Sequence, residues 1–354
     1  MIAHLICLVH YCCIKEADLH KISETEKGGY FMCTAISVTL ENHYFGRNLD
    51  YEHTFGEKIT ITPRNYGFEF TNGEKLENHY AMIGVALPYR GYPLYFDAVN
   101  EKGVSMAGLR FAGYAEYKEK DKASNGVASF ELIPLVLSKC KSAMEAKALL
   151  EKISITNEAF DDALLPTPLH WIVADKETSV VLEQTKDGVC VYDNPVGVLT
   201  NNPTFDIQLF NLRNYLSVSP YEPENNFSDK LDLNVYSRGM GAIGLPGDLS
   251  SMSRFVKASF TKLNSVYGDT EEEIVHHFFH ILYSVYQQKG CVRVGDGFEI
   301  TNYTSCCNTD RGIYYYTTYS NSSIMAVDMY REDLSSSDLC VYDMQRKGIV
   351  TIQN

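Results

Sequence analysis

The sequence has no run of lysine and arginine, and its formal net charge is -14. It therefore lacks the basic surface that phosphate backbones require, which excludes nucleic acid as a partner. No stretch approaches the ~18 consecutive apolar residues of a membrane span, so no membrane partner is expected. The nearest candidate, Ile2 to Ile14, is broken by His4, His10 and Tyr11. Without a basic start or a small-residue cleavage site it does not read as a secretory signal. Tryptophan is nearly absent, with one residue against 25 tyrosines, a balance that leans toward strands. Among the ten cysteines no C-x-x-C occurs, and the adjacent pairs Cys12-Cys13 and Cys306-Cys307 fit no zinc spacing. Scattered thiols in a chain of 354 residues read as reduced and cytoplasmic.

Other chemistries fail on the same kind of absence. His276 and His280 share a helical face beside His277, yet no H-E-x-x-H and no acidic third ligand accompany them, so no metal is expected. Gly103-Val104-Ser105-Met106-Ala107 misses the G-x-S-x-G of a serine hydrolase. No local signature pairs an internal cysteine with a histidine, as a papain-like protease would need. No cofactor motif is present.

What is present is apolar material for a large core, 45% of the chain, in a strand-rich pattern. Strands are expected at 34–39, 43–48, 58–62, 80–87, 94–99, 104–110, 170–175, 178–184, 188–193, 197–201, 299–305, 312–319, 323–328 and 347–352. Tight turns at Asn100 to Gly103, Lys186-Asp187-Gly188 and Asp310-Arg311-Gly312 imply antiparallel pairing. Capping boxes at Ser142-x-x-Glu145 and Thr270-x-x-Glu273 start two helices, the second ending at Lys289-Gly290. A third helix is expected from Thr204 or Phe205 through Leu216. Helices outside two stacked sheets would cover both faces of each sheet, an α+β, four-layer αββα sandwich.

Residues 1–31 differ in character: three cysteines, a polar Lys21 to Gly29 stretch and no periodicity. Codons for Lys27-Gly28-Gly29 can spell a ribosome-binding sequence just ahead of Met32. Translation starting at Met32 is the expectation, with a removable pro-segment as the second reading. Residues 32–354 then form a single domain that works from Cys33.

The chemistry concentrates in Met32-Cys33-Thr34 and Phe45-Gly46-Arg47-Asn48-Leu49-Asp50. With Met32 gone, Cys33 carries a thiol and a free α-amine. That amine has a reference pKa of about 7.7–8.0 and suits a general base near neutrality. A guanidinium such as Arg47 lowers a thiol pKa, and a carboxylate such as Asp50 can orient the amine. A hairpin returning from 34–39 would bring Arg47 and Asp50 back beside Cys33.

These two runs, together with Asn100-Glu101-Lys102-Gly103, Gly197-Val198-Leu199-Thr200-Asn201-Asn202-Pro203, Gly244-Leu245-Pro246-Gly247-Asp248 and Ser253-Arg254-Phe255, resemble the choloylglycine hydrolases. That family holds bile salt hydrolases and penicillin V acylases and has the N-terminal nucleophile (Ntn) hydrolase fold. The resemblance implies Cys33 as nucleophile, Arg47 and Arg254 flanking the thiol, Asp50 holding the amine, and Asn201 donating its side-chain amide to the oxyanion. It implies an acyl pocket lined by Leu49, Tyr89, Phe96, Phe160 and Leu164, and a cytoplasmic homotetramer. Arg110 departs from the family, where bile salt hydrolases usually carry Asn and penicillin V acylases Tyr. Its backbone N–H can still serve the oxyanion hole, and its guanidinium could meet the carboxylate or sulfonate of a conjugated bile acid. The function implied is hydrolysis of glycine- and taurine-conjugated bile acids. The alternatives are a penicillin V or other N-acyl amide acylase, or a silent ligand-binding relative with an unprocessed N-terminus.

Overall fold

A computed structural model describes residues 32–123 and 125–354. The chain opens with β1 (Cys33–Thr39), β2 (His43–Tyr51) and β3 (Lys58–Thr62). Next come β4 (Met82–Tyr89), β5 (Tyr92–Asn100) and β6 (Ser105–Arg110), then helices α1 (Leu132–Lys139) and α2 (Ala143–Leu150). Strands β7 (Leu169–Ala174), β8 (Ser179–Thr185), β9 (Gly188–Asp193) and β10 (Val198–Leu199) precede α3 (Phe205–Asn211), α4 (Ser251–Asn264) and α5 (Glu271–Tyr283). The chain closes with β11 (Ile300–Asn308), β12 (Ile313–Thr318), β13 (Asn321–Asp328) and β14 (Cys340–Asp343).

The strands form a six-stranded sheet, β10-β1-β2-β11-β12-β13, and an eight-stranded sheet, β9-β8-β7-β6-β5-β4-β3-β14. Every pairing within both is antiparallel. Helices α1 and α2 pack on the outer face of the larger sheet, and α4 and α5 on the smaller one. The fold is the αββα sandwich of the expectation. Because both faces of each sheet are covered, inner strands are buried throughout rather than on alternate residues. All nine residues of β2 are buried, Arg47 and Asp50 included.

Most elements fall where the pattern puts them. Both capping serine and threonine side chains accept as expected, Ser142 from the Glu145 N–H and Thr270 from that of Glu273. Three expectations need correction. Residues 347–352 are not a strand and lie exposed; 340–343 pairs with β3 instead. The helix begun at Thr270 ends at Tyr283, short of Lys289-Gly290. Helices α1 and α4 lie where no helix was expected. In α1 the run Leu-Ile-Pro-Leu-Val-Leu is apolar all round, so no period marks it, and its proline sits in the first turn where it is tolerated.

The Asn100-Glu101-Lys102-Gly103 motif is structural. Asn100 Oδ1 accepts from the N–H groups of Lys102 and Val104, while its Nδ2 donates to the carbonyls of Leu137 and Cys140 at the end of α1. Gly103 takes the left-handed φ of +84° that closes the turn.

Candidate active site

The hairpin β1–β2 sets Cys33 opposite Leu49 and Ala35 opposite Arg47. Close packing of β2 on β11 requires Gly46, since a Cβ there would stand 2.0 Å from the Ser305 carbonyl oxygen. The approach lets Ser305 Oγ accept the Arg47 N–H at 3.1 Å.

Two β-bulges shape the site, each at an extra residue beside a functional one. On β11 the register against β2 slips between Thr301 and Tyr303. Thr301 Oγ1 there donates to Asp50 Oδ1 at 2.6 Å. On β5 the register against β4 slips at Phe96, between the pairs Val85–Asp97 and Ala86–Tyr95. Beyond Asp97 and Ala107, β5 and β6 part. The Arg47 guanidinium fills that opening, with Nη1 donating to Phe96 O at 3.0 Å and Gly108 O at 2.6 Å.

Phe111 N–H donates to Pro168 O on the β7 side. By the alternation of an antiparallel ladder, the N–H and C=O of Arg110 face the side that β5 has left. The Arg110 carbonyl there accepts Asn201 Nδ2 at 2.9 Å. Asn201 Oδ1 accepts from Cys33 N at 2.9 Å and from Arg254 Nη2 at 2.7 Å. Arg254 Nη1 donates to Cys33 O at 2.5 Å and Thr34 Oγ1 at 2.7 Å. Asn201 is itself anchored by Ser251 Oγ on its N–H and Gln208 Nε2 on its carbonyl. Behind it, His170 bridges Glu183 Oε1 and Thr200 O.

The electrostatics follow from burial. Desolvation pushes the Cys33 thiol above its ordinary value; Arg47 opposes this most strongly, the Asp50 carboxylate adds to it, and the Asp50 N–H and Arg254 oppose it. Burial lifts the Asp50 carboxyl to about 6 against the pull of Arg254, Thr301 and Arg47. Among the described residues, neither Asp50 Oδ2 nor Arg47 Nη2 has a hydrogen-bond partner, although both are buried. Cys33, Arg47, Asp50 and Arg110 line one cleft enclosing about 1170 Å³ of space open to solvent. This arrangement can activate a thiol, hold a nearby amine and receive an acyl group.

A family model for linear amide C-N hydrolases, choloylglycine hydrolase family, matches residues 33–342. The chain belongs to the choloylglycine hydrolase family. It is accordingly a hydrolase of linear amide C-N bonds. A bile salt hydrolase/transferase from Lactiplantibacillus plantarum is 54% identical over 318 residues, 90% of this chain and 98% of that protein. A crystal structure of a mutant conjugated bile acid hydrolase from Clostridium perfringens has a TM-score of 0.83 at 33% identity, covering 91% of this chain and all of that one. A penicillin V acylase from Agrobacterium tumefaciens shares the fold, with a TM-score of 0.71 at 21% identity over 88% of this chain and 91% of that one.

Within this choloylglycine hydrolase site, Leu49, Phe96, Phe160 and Leu164 line the cleft with Cys33. Tyr89, expected in that lining, instead ends β4 and packs against Phe160 with ring centroids 5.7 Å apart, outside the lining. Arg254 is fully buried on α4. The spacing of Phe255, Val256 and Ser259 is the one local signal of its helix, which the sequence reading did not use. Glu299 and Thr301 were missed altogether. Glu299 Oε1 accepts from Met32 N at 2.5 Å, and burial, with Asp50 adding, pushes its carboxyl up to about 8. No local signal distinguishes either residue from ordinary strand polarity.

Proposed function

We propose that this enzyme cleaves the amide bond of glycine- and taurine-conjugated bile acids, with Cys33 as N-terminal nucleophile. The observation that carries the reading is the convergence on Cys33, at one end of an apolar cleft, of Arg47, Arg254, Asn201 and Asp50. With residue 32 removed, the α-amine takes the thiol proton, and sulfur attacks the amide carbon. The oxyanion accepts from the second Asn201 Nδ2 hydrogen and the Arg110 backbone N–H; one such donor contributes ~2.7–4 kcal/mol. The C–N bond breaks as the α-ammonium returns the proton to the leaving amine, and water then hydrolyses the thioester with the amine as base. Asp50 Oδ2, buried and without a partner among the described residues, is suited to hold that amine.

Substrate class rests on the relatives, one a bile salt hydrolase/transferase and one a conjugated bile acid hydrolase. The lining by Leu49, Phe96, Phe130, Phe160 and Leu164 suits a steroid. Arg110 also lines the cleft, where its guanidinium would pair with the carboxylate or sulfonate of the leaving group. A homotetramer is supported by exposed Leu216, Tyr221, Phe227 and Tyr236 in the long irregular segment between α3 and α4. A cytoplasmic location is supported by the unpaired state of all seven cysteines among the described residues. Residues 1–31 are proposed to be no part of the working enzyme, either untranslated or removed.

Parallel hydrolysis of taurocholate, glycocholate and penicillin V by the chain starting at Cys33, with Cys33→Ala as control, tests the reading. Faster turnover of the bile acid conjugates supports it. Preference for penicillin V, or activity in Cys33→Ala, would overturn it.

A further inference from the structure

We propose that Asp97 is a positioning residue for Arg47, locked between the sheets by Tyr303 and Tyr314 so that the guanidinium stays at the Cys33 thiol. The inference rests on the reading of Cys33 as nucleophile. Asp97 follows the β5 bulge, adjoins the Phe96 carbonyl that receives Arg47, and is buried to 1% in the layer between the sheets.

A carboxylate in so dry a place is costly unless its charge is met. Tyr303 on β11 donates its hydroxyl to Asp97 Oδ1 at 2.6 Å, and Tyr314 on β12 donates to Oδ2. Ser305, which holds the Arg47 N–H, adds a third hydroxyl. These donors all come from the opposite sheet. They hold the carboxylate facing Arg47 without a direct ion pair among the described contacts.

Arg47 therefore gives Nη1 to two backbone carbonyls, and its Nη2 has no partner among the described residues. Burial opposes its charge, while Cys33, Tyr303, Asp97 and Asp50 all favour it, Asp97 and Asp50 being the carboxylates. The groups facing Asp97 are Arg47 on β2, Tyr303 and Cys307 on β11 and Tyr314 on β12. Those facing Arg47 also include Cys33 and Asp50. With Asp97 neutral, Asp50 is left as the sole carboxylate partner of Arg47. The guanidinium is then drawn from the opening toward Asp50, and the thiol loses its strongest stabilising charge.

The test is the pH dependence of Cys33 alkylation by iodoacetamide, followed by mass spectrometry, in wild type and Asp97→Asn. The expected midpoint rises by about one pH unit in the variant. Bile acid conjugate hydrolysis should show kcat down about tenfold or more, with KM within about twofold. Tyr314→Phe should move the midpoint in the same direction by less, and it serves where Asp97→Asn does not fold. An unchanged alkylation midpoint in a folded variant of either kind overturns the proposal, even if the melting temperature falls. Alkylation needs no substrate, so failure of wild type to cleave conjugates would sink the functional reading and leave this result standing.

Discussion

Asn201 joins three groups that are far apart in sequence: the Cys33 nitrogen, the Arg254 guanidinium and the Arg110 carbonyl. Its proposed oxyanion role predicts that Asn201→Ala lowers kcat by about 10²–10³-fold, the usual cost of one such donor. Steady-state kinetics beside a circular dichroism spectrum check this; a folded variant with unchanged kcat contradicts the role. At this scale the sequence was legible where partners are near neighbours. Cys33, Arg47 and Asp50 lie on one hairpin, so a return turn was enough to bring them together. Asn201 and Arg254 emerged only through the family resemblance, because nothing local separates a turn asparagine or a helix arginine from a catalytic one. Thr301, Glu299 and Asp97 stayed hidden, since each acts on a residue some 50 to 270 positions away, Asp97 across the sheets and the other two between strands of one sheet.

The β1–β2 hairpin carries the nucleophile, and His43 pins its turn end. The ring accepts or donates to Ser37 Oγ at 2.9 Å and Thr309 Oγ1 at 3.0 Å, and it is fully buried. Burial lowers its pKa from 6.5 to about 4, against the opposing pull of Asp175 and Asp310. Between these values the unfolded chain binds the proton that the folded chain refuses. Stability from this group is thus complete above pH 6.5 and lost as pH falls toward 4, by about 3 kcal/mol. Urea unfolding at pH 7 and pH 4.5 should show a smaller acid loss in His43→Gln than in wild type. An equal loss in both contradicts the assignment. Strand positions were legible because β-rich, turn-punctuated patterning survives burial. The bulges at Phe96 and Asn302 were not, because an extra residue in a ladder is defined only by its partner strand.

Over the whole molecule, the sandwich brings one charged patch of each sheet together at the cleft, and both sheets must be in register for it to form. The outer surface poses a separate question. Leu216, Tyr221, Phe227 and Tyr236 are each more than three-quarters exposed on one irregular segment. The proposed tetramer buries them. Phe227→Ser with Tyr236→Ser should therefore shift the species seen by light scattering toward smaller assemblies, leaving Cys33 alkylation unaltered. A monomeric wild type, or an unshifted variant, contradicts the proposal.

In the proposed mechanism the chemistry begins only when Cys33 is the first residue. In the described arrangement its nitrogen is an amide between Met32 and Cys33, held by Asn201, with Met32 bound to Glu299. The direct measurement is intact-protein mass spectrometry paired with turnover of a bile acid conjugate, on chains that do and do not retain residue 32. Turnover should track the fraction beginning at Cys33 and vanish when a preceding residue is retained. Full activity in a chain whose mass shows Met32 still attached would contradict it.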